Sequence, residues 1–95
     1  MNLIEAVIHN DVISVRKELE AGADPNACQD RAKVTPLHFA AQHNAIDVVP
    51  LLITAGANLH AYTFPDQQTP LDIAKIHRHD EMVKLLSELG LRCQD

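Results

Sequence analysis

Three glycines in this chain, Gly22, Gly56 and Gly90, stand 34 residues apart, and the spacing recurs in column after column. Thr35 and Thr69 share it, as do Pro36 and Pro70, and Leu37 and Leu71. So do the triplets Ala6, Ala40, Ala74; His9, His43, His77; and Val15, Val49, Val83. A chain that repeats itself at this kind of period stacks copies of one supersecondary unit, because no single copy can bury its own apolar face. Residues 1–95 therefore read as one domain of three units, 1–29, 30–63 and 64–95.

Each unit reads as two short helices and a loop. In the second unit Thr35 is suited to an N-cap, since its hydroxyl can accept from an orphan backbone N–H. Pro36 follows at the first helical position, where a missing N–H costs nothing. Leu37, Ala40 and Ala41 recur at helical spacing as a narrow apolar face that admits a close neighbour. Asn44 is expected to break the helix by taking the left-handed conformation. Ile46, Val49, Leu52 and Ile53 form the stripe of the second helix, and Gly56 is expected to end it. The third unit repeats the scheme with Thr69-Pro70-Leu71, Ile73-Ala74, Val83, Leu85-Leu86 and, again as the expected helix end, Gly90. Helices this short are unstable alone, so stability must come from stacking between units.

Aromatics are only 3% of the chain and Trp is absent, which leaves Ala, Val, Ile and Leu to fill an all-α core. A net charge of −5 with no basic stripe argues against nucleic acid and against an anionic membrane surface. No apolar run approaches a membrane span, and Met1–Glu5 lacks the basic and apolar blocks of a secretory signal. Cys28 and Cys93 stand in no metal or redox spacing, so free thiols in a reducing, cytoplasmic setting are expected. Export into another cell as an effector stays open.

Six histidines invite a metal hypothesis. His9, His43 and His77 should form a column, but stacked helices lie about 8–10 Å apart while zinc needs each ligand nitrogen at roughly 2 Å. They read as solvated or packing side chains, with acid weakening of the stack through their mutual repulsion as a softer alternative. Ser14 and Ser87 sit in helices without a nucleophile elbow, no Gly-rich phosphate loop exists, and no carboxylate pair is brought together in a cleft. No enzymatic activity and no cofactor are expected.

The run Thr35-Pro36-Leu37-His38-Phe39-Ala40-Ala41, with Val48-Val49-Pro50-Leu51-Leu52 and Ala55-Gly56-Ala57-Asn58, resembles the ankyrin repeat. The resemblance covers essentially the whole chain. It implies a solenoid of three helix-turn-helix units joined by β-hairpin-like finger loops, whose function is to bind a protein partner. It also implies that His38 ties one unit's helix start to its neighbour. The departures are informative. The period is 34 where the family's is about 33, and the additional residue falls in the fingers, 26–34 and 60–68. Lys33 and Gln67 stand where the family usually carries Gly, which points to altered fingertip turns. Pro50 lies a few residues into the second helix of its unit and is expected to kink it slightly. Lys17 and Glu18 replace the leucines of the middle unit, and Asp72 replaces His38, as polar terminal caps of a complete array would.

By the same resemblance, partners bind on the fingers and on the first helix of each pair. In the first finger the matching positions are Gln29, Asp30, Arg31 and Lys33; in the second they are Tyr62, Thr63, Phe64, Asp66 and Gln67. On the first helices they are Gln42, His43, Ile76 and His77. Two of the three aromatics, Tyr62 and Phe64, lie in the second finger, as contact anchors or as rings folded back onto the third unit. Asn26 resembles the finger Asn that asparaginyl hydroxylases modify, although turn stabilisation is its structural role; His60 shares its column. The leading expectation is an adaptor or inhibitor, as a monomer or weak homo-oligomer. The alternative is a self-assembling component, crosslinked through Cys93, and a distant third is a His-based metal-binding protein.

Overall fold

The computed structural model describes residues 2–28 and 31–92, with side chains to residue 90; Gln29, Asp30 and Cys93 lie outside the described residues. Six α-helices form three antiparallel pairs: α1 (Leu3–Ile8) with α2 (Val12–Glu20), α3 (Pro36–Gln42) with α4 (Val49–Thr54), and α5 (Pro70–Ile76) with α6 (Asp80–Arg92). A 3-10 turn, Ile46–Val48, leads into α4. No strand occurs among the described residues, and no described helix is long and apolar enough to cross a membrane. The architecture is the all-α solenoid that the repeat demands.

The first helices stack side by side, α3 packing against α1 on one flank and α5 on the other. Their contact faces are small: Ala6, Ala40, Ala41 and Ala74 are all fully buried, so the backbones approach closely. Behind them Val15, Val48, Val49, Leu52, Met82 and Leu86 complete one continuous core. Met82 stands in the same column as Val48, an equivalence that residue type alone conceals.

Helix ends follow the 34-residue ruler even where the side chains do not. Thr35 and Thr69 cap α3 and α5, each hydroxyl accepting from the backbone N–H three residues on. Asp11 caps α2, and its bonds from the Ser14 hydroxyl and amide hold its carboxyl below the usual range. At the inter-helix turns Asn10, Asn44 and Arg78 all take the left-handed conformation, at φ of 53°, 55° and 57°. In each, the next residue's N–H reaches back five positions: Asp11 to Ala6, Ala45 to Ala40 and His79 to Ala74. Gly22 and Gly56 end α2 and α4 at φ of 101° and 104°. Gly90 departs from the expectation: α6 runs through it to Arg92, so it does not end a helix.

Pro50 produces no interior kink. It lies in the first turn of α4, behind the 3-10 turn, where no intrahelical bond is lost. The fingertips also resolve differently from the expectation of an altered turn. Lys33 and Gln67 adopt φ of 57° and 53°, the left-handed conformation that glycine takes most cheaply. A non-glycine residue there is strained by about 1–2 kcal/mol, part of which glycine would return through a more flexible unfolded chain. Gln67→Gly should therefore raise stability by about 0.5 kcal/mol, read as a higher urea midpoint with an unchanged slope.

Candidate functional site

The surface formed by the fingers and first helices rests on a rigid base. In the second finger the Thr63 amide donates to the Gln68 carbonyl (2.9 Å), the Gln67 amide to the Thr63 carbonyl (2.8 Å), and the Gln68 amide to Thr63 Oγ1 (3.1 Å). The Phe64 amide donates to the Ala32 carbonyl of the first finger at 2.8 Å, which joins the two fingers. His38, fully buried at the start of α3, holds this base from below. Its Nδ1 accepts from the Thr35 amide at 3.0 Å, so Nε2 carries the proton and donates to the Gln68 carbonyl at 2.8 Å. One imidazole thus caps its own helix and reaches the next unit. Burial pushes its pKa below the ordinary 6.5, against an opposing effect of hydrogen bonding to the Gln68 and Ala61 backbones. Asp72, in the same column, repeats only the cap, accepting from the Thr69 amide at 3.1 Å.

Between this finger and the helices lies an open cleft of about 270 Å³. Phe64, Asp66 and Thr63 line it from the finger, Gln42 from the end of α3, Ile73 from α5 and His77 from the C-cap of α5. Phe64 is 56% exposed, although a ring of that size would normally be buried. The His77 ring stacks on His79 at a centroid distance of 5.8 Å, and His79 Nδ1 donates to the Ala41 carbonyl at 2.8 Å, so the pair is braced against α3. Five of the sequence-expected residues, Gln42, Thr63, Phe64, Asp66 and His77, therefore meet at one opening.

Tyr62, Lys33 and Asn26 meet elsewhere, in a second groove of about 340 Å³ that also contains Cys28 and Asn58. Tyr62 is 55% exposed, so neither finger ring is closed into the core of the third unit. Arg31, His43 and Ile76 are exposed but line neither depression. Sequence reasoning missed a third groove, about 360 Å³, where Leu59, Leu71 and Leu86 surround Gly90. The open helical course at Gly90 accompanies it, and glycine's column offered no signal of that. Among the described residues no three His, Cys, Asp or Glu side chains gather to hold a metal ion.

Asn26 is a clasp between units and not only a turn residue. Its amide closes a turn on Asp24 Oδ1 (2.8 Å), its Oδ1 accepts from the Asn58 amide (2.7 Å), and its Nδ2 donates to the Gly56 carbonyl (3.0 Å). Both side-chain atoms thus cross from the first unit to the second. Asn26→Ala should lower stability by about 1–2 kcal/mol through the two lost bonds, with Asn26→Asp, which keeps only the acceptor, falling between it and the parent in urea unfolding.

A family model described as ankyrin repeats (three copies) matches residues 3–95. The chain is similar to the mouse (Mus musculus) 2-5A-dependent ribonuclease, at 49% identity over 53 residues, which is 56% of this chain and 7% of that protein. It is also similar to an ankyrin repeat protein of fowlpox virus (strain NVSL), at 41% identity over 51 residues, 54% of this chain and 7% of the relative. The chain thus covers a small part of the length of either relative.

Proposed function

Because this chain belongs to the ankyrin-repeat family, whose members are generally protein-interaction modules and typically non-catalytic, we propose that it is an adaptor or inhibitor that binds one protein partner through its fingers and first helices. On this reading residues 1–95 act as a single non-catalytic domain of units 1–29, 30–63 and 64–95, working in the cytoplasm. The observation that carries the reading is the cleft beside the second finger. There an exposed aromatic ring sits on a backbone clamped by four hydrogen bonds, counting the one to Ala32. An exposed ring on a fixed backbone gives up only its own side-chain rotation on binding, and such anchors typically contribute about 2 kcal/mol or more to an interface. The ribonuclease name of one relative carries no catalytic reading here, since the likeness spans 53 residues.

The test is affinity capture from the natural host's lysate with three baits: the parent chain, a Tyr62→Ala/Phe64→Ala double variant, and Ile13→Ala. Ile13 is 68% exposed on α2, outside the fingers and first helices, and serves as a control for a surface apolar residue. A partner lost by the double variant and kept by the control supports the reading. A partner kept by the double variant, or lost equally by the control, overturns it. Hydroxylation of Asn26 is a further proposal on the same face, read by mass spectrometry of protein from that host.

A further inference from the structure

Resting on the interaction reading above, we propose that the cleft beside the second finger recognises an arginine side chain of the partner, its guanidinium stacked on Phe64 and paired with Asp66. The lining of this cleft contains one carboxylate and no Lys or Arg. Asp66 is exposed, and no hydrogen bond or ion pair engages it among the described residues. A purely apolar partner would strip water from that carboxylate and leave it unpaired, which is costly. A cation removes the conflict, and the chain's net charge of −5 draws cations to the surface.

The neighbours of Asp66 select arginine over lysine. Phe64 stands two residues away in the same turn, closed by the Gln67 amide on the Thr63 carbonyl, and both side chains line the cleft. Guanidinium is planar and weakly hydrated, so it can lie on an aromatic face while its N–H groups reach a carboxylate; an ammonium holds its water more tightly. Gln42, exposed across the opening, has a side-chain amide with no hydrogen bond among the described residues and offers its oxygen for a remaining N–H. Ile73, almost fully buried at the floor, gives the arginine's methylene stem an apolar rest. Asp66 and His77 are the titratable groups that face the cleft.

The test titrates the full chain with the capped peptide acetyl-Gly-Leu-Arg-Leu-Gly-amide and its citrulline and lysine counterparts, followed by amide nitrogen–proton NMR. The arginine peptide is expected to move the Phe64, Asp66 and His77 amides and to bind about fivefold more tightly than the citrulline peptide. Asp66→Asn, an exposed substitution whose spectrum reports that the fold is kept, should cut that difference to about twofold or less, and Phe64→Ala should abolish the preference for arginine over lysine. Equal binding of the arginine and citrulline peptides, equal binding of arginine and lysine, or shifts confined to another face would each overturn the assignment. If that happens while the Tyr62/Phe64 double variant still loses its captured partner, arginine recognition falls and the interaction reading stands. If the double variant keeps the partner, both fall.

Discussion

Replacing His38 with Ala is expected to lower the unfolding free energy by about 3 kcal/mol, a large share of the roughly 5–10 kcal/mol available to a domain of this size. Two losses add. The Thr35 amide loses its acceptor, and the Gln68 carbonyl loses one of its two donors and keeps the Thr63 amide. The imidazole also leaves a void in a fully buried site. His38→Gln, whose oxygen and amide can imitate the two ring nitrogens, should recover part of the loss. Urea unfolding of the three proteins reads the effect, and a midpoint for His38→Ala within error of the parent would remove His38 from its place as a junction.

The second large effect is a loss of stability in mild acid. Burial lowers the pKa of His38 in the folded chain, so below its ordinary 6.5 the unfolded chain takes up a proton that the folded chain resists. Unfolding therefore binds protons, and stability rises with pH across that window. The contribution of His38 is complete above pH 6.5 and is lost as pH falls from there through the folded-state value, with a slope from one such group of no more than about 1.4 kcal/mol per pH unit. The structural reason is local. A proton on Nδ1 would displace the Thr35 N–H as donor and would have only the Thr35 hydroxyl, 2.7 Å away, as its acceptor in a fully buried site. Urea midpoints at pH 7.5 and pH 5.5 should differ for the parent and converge in His38→Gln. An equal drop in both would place the acid-sensitive group elsewhere, as the expectation of repulsion along the His9, His43 and His77 column would have it.

Much of the fold was legible because the repeat spacing transfers information between positions of unlike chemistry. Thr35 and Thr69 announced their caps, and Gly56 and Asn44 their left-handed turns, through residue types suited to those conformations. Arg78 takes the same backbone as Asn44 with no propensity for it, and only the column predicts this. Lys33 and Gln67 misled for the same reason: the tertiary frame imposes the left-handed conformation and overrides the residue. Gly90 misled in the opposite direction, since its column mates turn and it does not. The candidate site was legible as a list and not as a place. Gln42, Phe64, Asp66 and His77 meet only because the Phe64 amide reaches Ala32 and His38 fixes Gln68, contacts across 30 or more residues that spacing does not reveal.

The seams between units are of unlike chemistry. The first is stitched by amides, Asn26 to Asn58 and Gly56, and Asn10 to Asp47 at 3.1 Å in both directions. The second adds two imidazoles to the Phe64–Ala32 backbone bond, His38 to Gln68 and His79 to Ala41. An amide is indifferent to protons over the range in which an imidazole is not. Protonating the buried His38 would place an uncompensated charge in the second seam, which its burial resists, so in weak acid the array should peel from the α5–α6 end, with those amides exchanging with solvent while α1 and α2 stay protected.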